Sequence, residues 1–563
     1  MFTRRLAVLS VAGLTALLLR AGDSSLRAQS VAAVALTGQI SSADEGPMEG
    51  VVVSAKRAGA TVTISVVSDA TGRYRFPRMR LEPGPYSIST RAVGYELDDP
   101  GPVEIASTRS TELNLKLHKT QDLSVQLTNG EWLMSFPGTA DQKRPLTGTC
   151  PFCHTLERVV RTHYTAAQWP LILQRMSNYA MVTSPLRPQL QPRPPQTGPV
   201  TEDEVTIRPA TRREAEYYSS LNLSSSTRWQ YPLKTLPRPK GKGTRVIVTE
   251  YDLPRADAMP HDVLVDTAEG VLWYPDFGHH YLGRLDPKTA KVVEYPVPVP
   301  IPGAPTGSLD AGFDRDGNIW FAQMYQSGVV KFDKKTETFQ SFPLPKELYN
   351  YGNNAMIAPQ ASHVDGKVWM NHVQLRGVHR VDVKTGRFET FEPYKQINDG
   401  EPHQMYGISS DSQNNLYLMD LGNRNIVRID AKTGQPVLYP TPTPGSGPRR
   451  GHFDSQDRLW FAEFWGNQVA MFDARSHEFK EWALPPYLSP YDAVIDRNGD
   501  IWTGGMSTDR VVRVNSKTGE TIEYLLPHPT NIRRVDVDNS TDPPTLWVGN
   551  NHGASIIKVE PID

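Results

Sequence analysis

The sequence predicts a mainly β, multidomain chain: a β-sandwich, then a small α-helical domain, then a seven-bladed β-propeller. Three observations carry this. Aromatic anchors at Trp273, Trp320, Trp369, Tyr417, Trp460, Trp502 and Trp547 recur every 42–49 residues, the span of a four-stranded propeller blade. Residues 33–118 alternate apolar and polar side chains between glycine and proline turns. Residues 120–225, between these β regions, place apolar side chains at helical spacing. The chain has 563 residues, and its 47 prolines and 42 glycines suit turn-rich β architecture.

The N-terminus reads as an export signal over residues 1–30. "MFTRR" is basic, Leu6 to Leu19 is apolar but too short to span a bilayer comfortably, and Ala28 and Ser30 are small residues at cleavage spacing. The expected location is periplasmic or extracellular, with no transmembrane span after signal removal. In residues 33–118 the frame is Gly38, Gly46-Pro47, Gly50, Asp69-x-x-Gly72-x-Tyr74-x-Phe76, Pro83-Gly84-x-Tyr86 and Gly94-Tyr95. Turn glycines with aromatics at period two give an inward-facing row. This frame resembles the carboxypeptidase regulatory-like domain. That resemblance implies a prealbumin-like β-sandwich with a carbohydrate-binding-like fold and an accessory, non-catalytic role.

The helical segment holds the chain's only two cysteines, in "TCPFCH". Cys-x-x-Cys-His reads as c-type haem attachment: Cys150 and Cys153 reach the two vinyl groups, and His154 sits under the iron. A zinc site needs more ligands than lie nearby, a thioredoxin-like pair needs a βαβ context, and a disulfide across so short a loop stabilises little. Trp169, Leu171, Ile172 and Met176 follow at helical spacing, with Thr165 as expected N-cap. The segment resembles a small cytochrome c domain of multidomain exported oxidoreductases. A second axial ligand is expected, Met176 first and Met181 second, with His163 close in sequence. A proline-rich loop and a short helix complete this region, and residues 226–243 read as a linker.

From residue 244 to 563 a repeat recurs whose typical unit runs from a turn through Gly-x-Ile/Val/Leu-Trp to Asp-x-Lys-Thr-Gly and a strand ending near proline. The last unit, "TLWVGNNHGASIIKVEPID", lacks an outer strand, and Arg245–Pro254 has the form of one. It is expected to close the ring and remove an open edge. The blade formula resembles virginiamycin B lyase. That resemblance implies elimination at an ester of a cyclic depsipeptide with magnesium, using histidines at Pro-His blade starts and a glutamate three residues after the blade tryptophan. Here His261 and His403 are the Pro-His candidates, Pro527-His528 being a further such dipeptide, and the third position holds Asp276, Gln323, His372, Asp420, Glu463, Gly505 and Asn550. Arg449-Arg450 stands where a second neighbouring histidine would be needed, so the lyase set is incomplete. Candidate catalytic residues are His261, His403, Asp420 and Glu463, with Asp276, His372 and Arg449 as substrate-channel candidates. Carboxylates there could hold a divalent cation, magnesium or calcium. Adjacent His279 and His280 face opposite ways and read as a surface loop.

A net charge of −1 gives no field to steer nucleic acid. The functional expectation is an exported c-type haem protein in electron transfer or oxidoreduction, with the propeller as substrate or partner site. Its partner would be a redox protein or a small-molecule, peptide or glycan substrate. The alternatives are a propeller lyase or hydrolase using histidine and carboxylate acid–base chemistry, and a glycan- or peptide-binding module without turnover.

Overall fold

The computed structural model describes residues 34–191, 209–223, 226–349, 356–372 and 376–562. The predicted export signal lies outside them. Among the described residues no helix is long and apolar enough to cross a membrane.

The N-terminal β-sandwich follows from period-two burial. In Arg73–Pro77, Tyr74 and Phe76 point inward, and in Gly84–Arg91 Tyr86 and Ile88 do. These side chains meet Leu36, Val53 and Ile64 in one apolar core. Strand Val34–Ser42 pairs antiparallel with Arg73–Pro77 and parallel with Leu115–Lys119. The opposite layer is built on Val52–Arg57, Val62–Val67 and Gly84–Arg91.

The C-terminal region is propeller-like. Six four-stranded antiparallel sheets follow in chain order. A seventh consists of Ile532–Asp538, Thr545–Asn550 and Ser555–Pro561, completed by Val246–Asp252 from the start of the region. The free edge of Val246–Asp252 then pairs with sandwich strand Val62–Val67, Val248 opposite Ser65. One eight-stranded sheet thus runs from the last blade into the sandwich. That pairing removes an exposed strand edge.

An aspartate six residues before the anchor aromatic explains much of the repeat. Asp314, Asp454 and Asp496 accept backbone N–H bonds in the turn and bonds from the indoles of Trp320 (2.8 Å), Trp460 (2.9 Å) and Trp502 (2.9 Å). The same carboxylate therefore shapes the turn and holds the buried ring.

The helices Asn129–Ser135, Ala140–Gly148, Leu156–Val160, Trp169–Ser177 and Pro209–Leu221 lie on one propeller face. Capping boxes start the first two: Thr128 with Glu131, and Thr139 with Gln142. Trp132, Leu133, Leu146, Leu156, Trp169 and Tyr218 form their core. One expectation is corrected. The helix after Thr165 begins at Trp169 with Gln168 as N-cap, the intervening residues forming a turn in which the Thr165 carbonyl accepts the N–H groups of Gln168 and Trp169. Residues 226–243 pack against the helices: Trp229 meets Trp132 edge-on at 4.9 Å, and the Leu236 N–H donates to Glu131 at 2.8 Å.

Candidate functional site at the covered propeller axis

In each blade the innermost strand starts, and the second strand ends, on the face that the helices cover. Gly130 N–H donates to the Ser507 carbonyl at 2.6 Å, and the Arg144 guanidinium lies 4.1 Å from the Trp465 ring centroid. On the far side of this face, Gln189 exchanges bonds with Thr306 and Arg187 donates to the Gly278 carbonyl. The Cys-x-x-Cys-His turn is docked at the centre. Asn531 donates to the Pro151 carbonyl at 3.3 Å, Arg533 to the Phe152 carbonyl at 2.9 Å, and His552 Nε2 lies 3.2 Å from that same carbonyl.

Beneath Phe152 the inner strands bulge. Their pairing register shifts between Met405 and Ile408, Pro448 and Gly451, Pro490 and Ala493, and Ile532 and Val535. A bulge leaves residues out of the ladder and re-aims them. It brings Tyr406, Arg449-Arg450, Tyr491-Asp492 and Arg533-Arg534 together at the axis. Tyr406 and Tyr491 hydroxyls bond to each other, and Tyr491 reaches His261 Nε2 at 3.1 Å. His261 Nδ1 lies 2.5 Å from Asp262, so its proton is assigned to Nδ1 and Nε2 accepts from the phenol. Burial pulls His261 down to about 3 against the pull of Asp262, which keeps the ring neutral. Asp262 is then taken by Arg450 at 2.7 and 3.0 Å, and Arg450 also binds Asp310. At the opposite end lies a cavity of about 560 Å³, lined by His452, Arg534 and Asp536 among others.

The other expected site residues stay apart from this axial set. His403 lies 2.6 Å from Asp420 and 2.9 Å from Asp399 and stacks on Tyr394. Burial opposes its charge, but the bonds to the two aspartates prevail and its pKa is raised. Glu463 is buried with Gln468 at 2.5 Å, and burial pushes its carboxyl up to about 7. His372 pairs with His379 at 2.9 Å, and burial pulls it down to about 4. Asp276 binds Arg255 and receives the backbone N–H groups of Gly278 and His279. The surface reading of His279 is overturned: it is 8% exposed and lies between Asp257 at 3.0 Å and Asp276. Packing against Arg255 and its carboxylates draws the ring inward, where a loop reading expects solvent.

The cysteines, His154 and the axial carboxylates are the groups to test against a cofactor. Cys150 and Cys153 are both unbridged, and burial pushes the Cys150 thiol up to about 12, which makes it a poor thiolate nucleophile. His154 Nδ1 lies 3.0 Å from the Thr155 carbonyl, which assigns the proton to Nδ1 and leaves the lone pair on Nε2. A backbone carbonyl on the other nitrogen is the usual support for a metal-ligating histidine. The donor set therefore fits a covalently attached haem. The axial carboxylates do not fit a divalent cation: Asp262 and Asp310 are engaged by arginine, and among the described residues no group of three His, Cys, Asp or Glu is disposed to hold a metal.

Tyr406, Tyr491, Arg533 and Phe152 were not singled out from sequence. The paired arginines "RR" near the starts of two inner strands were the available signal, since adjacent strand residues face opposite ways unless a bulge re-aims them.

With this geometry in hand, comparison with known proteins places the parts. Residues 242–485 match the model of the virginiamycin B lyase family, and residues 35–118 that of the carboxypeptidase regulatory-like domain. The chain thus carries a virginiamycin B lyase-like propeller domain and a carboxypeptidase regulatory-like domain. Among solved structures it is similar to virginiamycin B lyase from Staphylococcus aureus, at 22% identity and TM-score 0.47, covering 56% of this chain and 99% of that one. It is also similar to a streptogramin B lyase, at 20% identity and TM-score 0.48, covering 57% of this chain and 100% of that one. No curated protein matches the chain.

Proposed function

We propose that the chain is an exported c-type haem protein of the electron-transfer or oxidoreductase kind, with the propeller as its substrate or partner site. The observation that carries this is the docked Cys150-x-x-Cys153-His154 turn: two free thiols, a histidine with one ring nitrogen engaged by a carbonyl, and a backbone held by Asn531, Arg533 and His552. A covalently held haem supplies one-electron chemistry. The protein's part is to fix that group over the propeller axis. Of the two candidate methionines, Met176 and Met181, burial favours Met181 as the one that would help hold the group. Its N–H donates to the Tyr325 hydroxyl at 3.0 Å, and it packs with Phe152 on the same apolar cluster, whereas Met176 is 38% exposed.

The test is a reduced-minus-oxidised spectrum and a covalent haem stain on protein made with its N-terminus intact and haem maturation active. A sharp reduced α-band is expected, lost in Cys150→Ala and Cys153→Ala. Wild-type protein without covalent haem would overturn the proposal. Met181→Ala is expected to alter the axial-ligand spectrum, and Met176→Ala to leave it unchanged.

A second reading, acid–base chemistry in the propeller, is favoured by His403 held between Asp420 and Asp399. Under it, His403→Ala abolishes turnover while the haem spectrum stays as in wild type.

A further inference from the structure

The position where the lyase pattern needs a histidine is held by Arg449, and its surroundings are unusual. The side chain is 1% exposed. Its guanidinium lies 4.1 Å from the Tyr491 ring centroid, 4.4 Å from Phe464, 5.0 Å from Tyr406 and 5.4 Å from Phe152. Its Nε and Nη1 are buried with no hydrogen-bond partner, and among the described residues no carboxylate pairs with it. Arg533 is 2% exposed and shares two of these rings, Phe152 at 5.3 Å and Tyr491 at 5.7 Å. Among the described residues it donates only to Asn531 and to the Phe152 carbonyl, both neutral acceptors.

Buried charges are ordinarily paired and hydrogen-bonded, because desolvation is costly. The neighbouring arginines obey this: Arg450 takes Asp262 and Asp310, and Arg534 lies 3.5 Å from Asp310. Carboxylates are thus plentiful one residue along the chain and missing at Arg449 and Arg533. Aromatic faces offset part of the charge but supply no acceptor in the guanidinium plane. Tyr491 cannot supply the negative charge as a phenolate in place of a ligand, since burial raises its pKa well above the ordinary value.

We infer that Arg449 and Arg533 form a binding site for a small oxyanion, a carboxylate or an inorganic oxyanion, held in the aromatic cage beneath Phe152. The guanidinium fork of Arg449 suits two-point recognition of such a group. This deepens the proposed function by giving the propeller site an anionic substrate class. It rests on that reading for the site's purpose, but the binding itself does not depend on haem being attached.

The experiment uses the full chain with formate and sulfate as probes, at ionic strength held constant with sodium chloride. A saturable rise in thermal unfolding midpoint is expected, since a ligand bound to the folded state stabilises it by mass action. Response to formate but not sulfate assigns the carboxylate source, and response to both assigns a general oxyanion site. Arg449→Met and Arg533→Met are each expected to lose the response. No saturable response in wild type, or a response retained by both variants, overturns the inference. Should the variants not fold, selenate-soaked crystals of the wild-type chain decide it. An anomalous peak in hydrogen-bonding reach of both guanidiniums supports the site, and its absence in a chain whose unfolding midpoint responds to sulfate overturns it. Haem attachment is read separately by spectrum, so oxyanion binding without haem overturns only the proposed function, and haem without oxyanion binding overturns only this site.

Discussion

The candidate site residues show how surroundings, and not residue type, set chemical behaviour. His261 and His403 both follow proline, yet one is kept neutral in a phenol–imidazole–carboxylate chain and the other is biased toward its charged form by two aspartates. Glu463 gives a sharper consequence. Its carboxyl is raised from 4.5 to about 7, so between those values the folded state binds more protons than the unfolded one. Its contribution is fully present below about pH 4.5 and is lost as pH rises through about 7. The full shift corresponds to about 3 kcal/mol. Glu463→Gln, which mimics the protonated form, is expected to flatten that part of the stability profile. Urea midpoints at about pH 5 and about pH 8 check this. A wild-type profile no steeper than that of the variant would contradict it.

The strands and helices are shaped for docking as much as for self-stability. Four inner strands bulge at the same place, one residue after their start, and this turns paired residues such as Arg449-Arg450 inward together. The helix Asn129–Ser135 illustrates a second device. Its Glu131 closes the capping box with Thr128 and also accepts the Leu236 N–H. Thr128→Ala is expected to cost about 1 kcal/mol, measurable as a lower denaturant midpoint. The contact between helix Ala140–Gly148 and the propeller is close enough to require glycine. A Cβ on Gly148 would run into the Trp465 ring, which Arg144 also covers. Gly148→Val should loosen the helical cover and raise hydrogen exchange at Cys150–His154, while propeller exchange stays slow.

Across the molecule, the β regions are one hydrogen-bonded body. The sandwich extends the last blade's sheet, and the ion pairs Arg80–Glu560 at 2.8 Å and Arg91–Asp509 at 2.5 Å cross the same junction. The expected result is cooperative unfolding of sandwich and propeller. Ser65→Pro places a residue without an N–H in the central ladder opposite both Ser54 and Val248. It should cost about 3 kcal/mol and split calorimetric unfolding into two transitions. A single transition in the variant would show that the shared sheet is not what couples them.

Repetition made the blades readable in advance. The Asp turn, the anchor aromatic and the strand spacing are local, so each repeat announces itself, and the missing outer strand at the C-terminus pointed to Val246–Asp252 at the other end of the region. The Cys-x-x-Cys-His spacing is equally local. Other features depend on residues far apart in sequence that meet only when the ring closes. Nothing near Arg449 along the chain foretells Phe152, Tyr491 and Arg533 around it, or the lack of a carboxylate there. Nor does a run of tryptophan- and proline-containing residues reveal that 226–243 packs under the helices, since composition reports solubility and not the surface that meets it. Local patterning thus dictates the blades and the Cys-x-x-Cys-His turn. The tertiary fold decides what stands beside that turn, because burial, and with it the charge state and pairing of every axial residue, exists only after the blades have come together.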